Sequence, residues 1–345
     1  MTARRRVAVI GCGAISQEHL GFLSRRADVD VVAVCDTSVA AGAYARDRFG
    51  ATTAYTDVAT MLGQADPDVV HVLTPPASHA DLIRVCLEAG THVFCEKPIT
   101  FTAAEFARLR SIADGSGRLL LENHNLLFND QIRKLDSLVA SGRLGEVRCV
   151  DIILSTWLPP TDLGAPAGAV HDVITHAVYI ARHFAAWRDD ETVEVCASWA
   201  LNDTSVPRKH DELIAVLRAG NRHATIRIGS SLRPLGFRIH VRGTKGSAET
   251  DLYQPYLRVE AERSDAQIGP LVDHVVNGAS LLGASARNLR DKVMQHTPYH
   301  GLHRLLAAFY DALGTNDPPP VSPSDIAGTL AVIDAIVARA TAATP

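Results

Sequence analysis

The first 125 residues alternate two hydrophobic rhythms. Short β-branched runs at Arg6–Ile10, Val29–Cys35, Val69–Leu73, His92–Cys95 and Leu119–Glu122 have the unbroken apolar character of strands buried on both faces. Between them lie stretches of helical period. One is His79–Glu88, which opens after Ser78, a residue type that caps helix N-termini, and closes at Gly90 in the C′ place. Strands alternating with helices predict βαβ units, hence a doubly wound parallel sheet with right-handed crossovers.

From about residue 145 the rhythm changes. Glu146–Ser155 reads as a long strand and Asp172–Phe184 as a helix. Strand patterns then follow in series at Val193–Leu201, Glu212–Leu217, His223–Gly229, Phe237–Val241, Ser247–Asp251 and Leu257–Glu260, with Gly243-Thr244-Lys245-Gly246 as a turn between two of them. Successive strands joined by short turns predict a mostly antiparallel sheet. Beyond residue 267 the pattern is helical again. One helix starts at Thr297-Pro298, with proline at an N1-like place. The proline-rich Asp317–Pro323 then precedes an amphipathic helix, Asp325–Ala340. The expected division is an α/β doubly wound domain over 1–125 and an α+β domain with an open, mostly antiparallel sheet over 126–345.

Composition narrows the function classes. At about 150 residues per domain, 345 residues suit two domains. With 34 Lys and Arg against 38 Asp and Glu, the net charge is −4, which gives nucleic acid nothing to hold. No apolar run reaches the roughly 18 residues of a membrane span. Arg4-Arg5-Arg6 before Val7-Ala8-Val9-Ile10 imitates a secretory signal, but the run breaks at once into Gly11-Cys12-Gly13 and polar residues; a buried first strand is the reading adopted. The cysteines, 12, 35, 86, 95, 149 and 196, form no Cys-x-x-Cys pair. They read as buried thiols of a reducing, cytoplasmic compartment.

Chemistry concentrates after the strands. Gly11-x-Gly13-x-x-Ser16 follows the first strand and opens a helix. The first glycine permits the tight turn, and the second lets a pyrophosphate approach the helix N-terminus. Ser16 stands where a third glycine is common. Asp36 ends the second strand, where a carboxylate can bind a ribose 2′-hydroxyl, and the next residue is Thr37, not an arginine suited to a 2′-phosphate. These features favour NAD over NADP. Thr74-Pro75-Pro76-Ala77-Ser78-His79 and Glu96-Lys97-Pro98 fall at the strand ends where open α/β sheets bind ligands. Proline at 98 biases Lys97 to an extended backbone. By itself Lys97 reads as a solvated or ion-paired lysine; its place at a ligand edge puts a functional role level with that reading. Asp172 and His176 are i and i+4 on one helix face, where a carboxylate can orient an imidazole poised for proton transfer. The plain alternative is a helix start capped by Asp172.

Gly-Cys-Gly-Ala-Ile-Ser (11–16), Thr-Pro-Pro-x-x-His (74–79) and Glu-Lys-Pro (96–98), in that order and spacing, resemble the glucose-fructose oxidoreductase / inositol dehydrogenase (Gfo/Idh/MocA) family. Gly168-Ala-Val-His-Asp172-Val-Ile-Thr-His176 resembles that family's Gly-x-x-x-Asp-x-x-x-His helix. Val241-Arg-Gly-Thr-Lys-Gly246 and Pro319-Pro320-Val321 resemble its sheet turn and the approach to its final helix. The resemblance implies a Rossmann domain followed by an α+β domain, with Lys97, Asp172 and His176 in the catalytic places. The expected cofactor contacts are Gly11, Gly13, Ala14, Ile15, Asp36, Thr37, Thr74, Pro75, Pro76, His79, Glu96 and Lys97. Two departures, Ala169 and Ile174 where the family often has glycine, are expected to reshape the pocket floor. His171 reads as structural. His71, His92, His124 and the group His296, His300 and His303 lack the companions of a metal site, with His300 a pocket candidate.

The expected function is NAD-dependent hydride transfer on a secondary alcohol or ketone of a sugar, cyclitol or derivative, nucleotide-linked sugars included, by a homodimer or homotetramer that uses no metal. The substrate is expected between the Rossmann edge and the exposed face of the second sheet. The alternatives are a relative that recycles bound NAD during epimerisation or bond cleavage, and a non-catalytic NAD-binding regulator.

Overall fold

A computed structural model describes residues 4–157, 169–188, 190–202, 205, 210–262, 269–294, 299–315 and 317–343. By contact the chain forms two units. One holds the described chain up to His124 together with Leu302–Ala327; the other holds Asn125–Gly301 and the described chain from Gly328 on.

The first unit carries strands β1 (Arg5–Ile10), β2 (Val29–Cys35), β3 (Thr53–Tyr55), β4 (Val69–Val72), β5 (His92–Cys95) and β6 (Leu120–Glu122). They pair in the order β3-β2-β1-β4-β5-β6, every pair parallel. The order reverses between β1 and β4, so the glycine turn after β1 and the loop after β4 lie at the switch point where such sheets bind ligands. Between the strands run α1 (Ser16–Leu23), α2 (Val39–Phe49), α3 (Val58–Ala65), α4 (His79–Glu88) and α5 (Ala103–Ser116). Val7, Ala8, Val9, Val69, Val70, Val72, Val93 and Phe94 are wholly buried, as strands covered on both faces require. The short β3 escapes the hydrophobic reading because its three residues are all half-buried.

Two details of α4 differ from expectation in opposite ways. Gly90, with φ +80°, ends it as anticipated. Ser78 does not cap it: the residue is helical and its side chain bonds no helix N–H. A single turn of 3₁₀ helix, Pro76–Ser78, precedes α4 instead.

The second unit begins with α6 (Asp130–Ala140), β7 (Val147–Ser155) and α7 (Ala169–Ala185), followed by β8 (Glu194–Ala200), β9 (Glu212–Ala219), β10 (Arg222–Gly229), β11 (Gly236–Gly243), β12 (Gly246–Asp251) and β13 (Leu257–Ala261). Their order is β13-β12-β11-β7-β10-β9-β8. The β7–β10 pair is parallel and the others are antiparallel. Residues along β9 alternate between buried and exposed, the signature of a sheet covered on one face. Apolar residues of α7 (Ile174, Val178, Ala181) and of α10 (Pro323–Ala342) enter the core beneath it. α8 (Gly269–Val293) packs beside β13, and α9 (His300–Thr315) runs into the segment that joins the first unit. The expected helix start at Thr297-Pro298, and His296, lie outside the described residues.

All six cysteines are free thiols. Four are buried, Cys12 is half-buried, and Cys196, against expectation, is exposed on β8. Its strand has one solvent-facing side, and Cys196 falls on it. No described helix is long and apolar enough to cross a membrane.

A candidate dinucleotide site and active-site helix

The turn after β1 explains its own glycines. Gly11 has φ +92°, and a Cβ there would lie 2.8 Å from the Leu73 carbonyl carbon and 2.9 Å from both its oxygen and Thr74 N. Only glycine lets β1 and β4 close at this point. Gly13 differs: a Cβ there would meet nothing within 4 Å. Gly13 and Ala14 are exposed and Ile15 is half-buried. Ile15 caps α1 without a side-chain hydrogen bond. The positive end of α1 therefore carries no side-chain cap at the sheet edge. Ser16, in the third-glycine place, is buried and donates its hydroxyl to Gly13 O at 2.6 Å. It closes the turn internally.

Asp36 ties this turn to the next. Its carboxylate accepts Cys12 N–H at 2.7 Å and Ser38 N–H at 2.8 Å, so the acid at the end of β2 is fixed and half-exposed. Thr37 beside it is exposed. These residues fit an adenosine ribose and a pyrophosphate: open space above Gly13, an uncapped helix start and a braced carboxylate.

The loops after β4 and β5 are tied by His79. Its Nε2 lies 2.7 Å from Thr74 O and its Nδ1 2.8 Å from Pro98 O. Both ring nitrogens thus face backbone carbonyls, and the side chain is wholly buried. Expected as a cofactor contact, His79 sits beneath the loops as a brace. Thr74 pairs with Ser78 through their hydroxyls at 2.7 Å, while Pro75 is exposed and Pro76 half-buried.

Lys97 is half-buried on a turn held from both sides. Its own N–H donates to Glu96 Oε2 at 3.3 Å, Pro98 O faces His79, and Ile99 N–H donates to Glu122 Oε1 at 2.8 Å. Glu96, also expected as a cofactor contact, spends its carboxylate inside the protein. Oε1 faces His19 Nε2 at 3.2 Å and accepts from Asn123 Nδ2 at 2.6 Å. Glu122 is wholly buried and paired with His124 at 2.7 Å. Neither Glu122 nor Asn123 stands out in the sequence, since a buried acid and a buried amide at a strand end carry no local motif.

In the second unit, Asp172 and His176 stand one turn apart on α7; the Asp172 side chain lies outside the described residues, as does Gly168. His176 Nδ1 lies 2.7 Å from the Tyr179 hydroxyl, which also accepts Leu126 N–H at 3.3 Å. Tyr179 thereby orients the imidazole, a role the sequence did not announce although His176 and Tyr179 are i and i+3. Ile174 is wholly buried in the core. Expected at a pocket floor, it packs inward instead. His300 accepts Asp130 N–H at the start of α6, at 3.3 Å. His92 Nδ1 accepts Leu119 N–H at 3.0 Å. Among the described residues no cluster of His, Cys, Asp or Glu could hold a metal ion.

Residues 5–124 match the family model described as the NAD-binding Rossmann fold of the GFO/IDH/MocA oxidoreductases, and residues 132–249 match the model of their C-terminal domain. The chain belongs to the Gfo/Idh/MocA family. Membership makes it an oxidoreductase of CH–OH groups with an NAD(P)-binding Rossmann domain. It is 29% identical to inositol 2-dehydrogenase of Rhizobium meliloti over 273 residues, covering 77% of this chain and 81% of that one. It is 33% identical over 189 residues to dTDP-3,4-didehydro-2,6-dideoxy-alpha-D-glucose 3-reductase of Saccharopolyspora spinosa, spanning 52% of this chain and 55% of that protein. In fold it is similar to the WlbA dehydrogenase of Bordetella pertussis, solved with NADH and UDP-GlcNAcA, with TM-score 0.75, 20% identity, and coverage of 99% of this chain and 97% of that one. The 3-ketoreductase KijD10 of Actinomadura kijaniata, solved with NADP and TDP-benzene, gives TM-score 0.74 at 21% identity, covering 96% of this chain and 97% of that one.

Proposed function

We propose that this Gfo/Idh/MocA protein is an NAD-dependent dehydrogenase or reductase acting on a secondary alcohol or ketone of a sugar, cyclitol or sugar derivative. The observation that carries the reading is the Lys97 turn, fastened through Glu96, His79 and Glu122 at the same sheet edge as the glycine turn. Nicotinamide supplies the hydride chemistry when bound. Lys97 stabilises the developing alkoxide, and the alcohol proton leaves to Lys97 or to His176, whose Nδ1 is held by Tyr179. Asp172 orients substrate or imidazole from the preceding helical turn. Asp36 selects NAD, since a carboxylate accepts a ribose hydroxyl and repels a 2′-phosphate. The relatives' substrates, cyclitols and nucleotide-linked sugars, support the substrate class. The exposed Ile153, Ile214 and Val216 on the open sheet support a homo-oligomer that buries that face.

A panel of cyclitols, sugars and nucleotide-linked sugars, read as NADH formation, tests the activity; product without NADH accumulation would assign a recycling cofactor instead. In the active pair, Lys97→Met and His176→Ala should each lower kcat by about 10²- to 10⁴-fold while sparing NADH affinity. Near-normal turnover in both variants would sink the assignment. For the cofactor, NADH should bind more tightly than NADPH, and Asp36→Ala should narrow the gap by about tenfold. Equal affinities before the substitution would remove the argument from Asp36.

A further inference from the structure

A line of polar side chains runs through the interior of the first unit to the Lys97 turn. Tyr310, on α9, places its hydroxyl 2.9 Å from His71 Nε2; His71 Nδ1 lies 2.9 Å from His19 Nδ1; and His19 Nε2 lies 3.2 Å from Glu96 Oε1. His19 and His71 are wholly buried and Tyr310 is 2% exposed. Phe94 stacks on His71 and meets His19 edge-on, which shuts the line away from water.

An Nδ1-to-Nδ1 contact gives such a line a direction, because one nitrogen must carry the hydrogen and the other must not. Burial holds His71 neutral, far below the usual histidine range, and keeps the proton on the Tyr310 hydroxyl. Two arrangements remain. In the first, Tyr310 donates to His71 Nε2, His71 Nδ1–H donates to His19, and His19 Nε2–H donates to Glu96. Every N–H and O–H then has an acceptor, and the one charge in the line is the Glu96 carboxylate. In the second, His19 Nδ1–H donates to His71, His71 turns its Nε2–H on Tyr310, and the tyrosine hydrogen loses its acceptor. The group over the Tyr310 ring is the Arg26 guanidinium, at 5.2 Å, which accepts nothing. An unpaired buried donor costs about 1–3 kcal/mol. The first arrangement wins.

We propose that Tyr310, His71 and His19 form a one-way hydrogen-bond chain that holds Glu96 fixed and ionised beneath the Lys97 turn. The three are positioning residues for the reacting lysine, an assignment that rests on the reading of Lys97 above. Burial alone would push Glu96 up; the His19 hydrogen bond, the nearby Lys97 charge and the Asn123 hydrogen bond favour the carboxylate. The same chain gives Leu302–Ala327 a task, because the first unit's line starts from a residue of that segment.

Long-range proton–nitrogen correlation spectra of the full chain with labelled imidazoles test the direction without any substrate. Signals are assigned by His19→Gln and His71→Gln. At neutral pH, His71 should be the Nδ1–H tautomer and His19 the Nε2–H tautomer, both neutral; an Nε2–H His71 or a doubly protonated His19 overturns the chain. Turnover tests its purpose. His19→Leu should lower kcat by about 10- to 100-fold with NADH affinity and KM little changed. His19→Gln, whose amide can still donate to Glu96, should recover most of the loss. Equal losses in the two variants, in step with their melting temperatures, would reduce the line to packing and overturn its positioning role. If Lys97→Met is silent while the tautomers are as stated, the lysine assignment fails and the chain's direction stands.

Discussion

The two sheets bury themselves differently, and the difference separates what each contributes. The parallel sheet is closed on both faces; β4 has four consecutive buried residues, Val69 to Val72. The mixed sheet is closed on one face only, and β9 presents Ile214 and Val216 outward at 39% and 43% exposure while Leu213, Ala215 and Leu217 are wholly buried. A sheet with both faces covered has its loops at the strand ends left for chemistry, and the glycine turn, Asp36 and Lys97 all sit there. An open sheet has a face left over, and apolar residues on that face suit contact with another protein surface.

The same substitution placed on each sheet gives the largest contrast. Val70→Lys puts an unpaired ammonium into a fully buried strand and should cost about 5 kcal/mol or more, enough to unfold the first unit. Val216→Lys, on the open face, should change the folding stability of the chain by about 0.5 kcal/mol or less. It should instead weaken the proposed homo-oligomer. Urea unfolding and sedimentation read the two effects separately. An oligomer that survives Val216→Lys unchanged would remove that face from the assembly.

The contrast also governs what could be read beforehand. Unbroken apolar runs marked β1, β2, β4 and β5 within a residue of their observed ends, and the series of strand patterns after residue 190 did the same for β8 and β12. Thr53–Tyr55 escaped because a three-residue, half-buried strand has no period to detect. At the site, the residues on turns were legible because turns demand particular residue types: Gly11 for its φ, Pro98 beside Lys97, Asp36 at a strand end. The residues that hold those turns were not. His19 and His71 look like any core histidine, and Tyr310 lies 239 positions from its partner. The attachment of Leu302–Ala327 to the first unit was hidden for the same reason, since a helical pattern does not say which core receives it.

Within the covered sheet's edge, two glycines should answer differently to the same added methyl group. Gly11→Ala meets the Leu73 carbonyl carbon at 2.8 Å with φ at +92°. The backbone strain alone is worth about 1–3 kcal/mol, and the clash adds to it, so melting temperature and NADH binding should fall together. Gly13→Ala meets nothing within 4 Å and should leave the melting temperature unchanged. Its methyl group enters the space assigned to the pyrophosphate, so NADH affinity should drop by about tenfold or more. If Gly13→Ala binds NADH normally, the pyrophosphate does not lie over this turn.

The last contrast concerns histidines on the two sheets. His92, on β5, is drawn down to about 4 by burial first and by Arg118 second. Folded protein therefore leaves it neutral down to that value, while the unfolded chain protonates it near the ordinary histidine value of 6.5. Between those two values the unfolded state binds more protons, so stability falls as pH falls. The contribution is complete above pH 6.5, is lost on the way to about 4, and amounts to about 3 kcal/mol at most. His92→Asn keeps an acceptor for Leu119 N–H and deletes the titration, so its stability should fall less steeply over that range. His71 adds its own acid sensitivity to both proteins and cancels in the difference. On the open sheet, His240 is also lowered, by burial and Arg242, but Glu249, Asp151 and Glu260 oppose the shift; His240→Asn should flatten the profile less. Urea midpoints measured across this range for the three proteins decide the matter. A His92→Asn profile parallel to that of the parent would mean that His92 takes up its proton in the folded state as readily as in the unfolded chain.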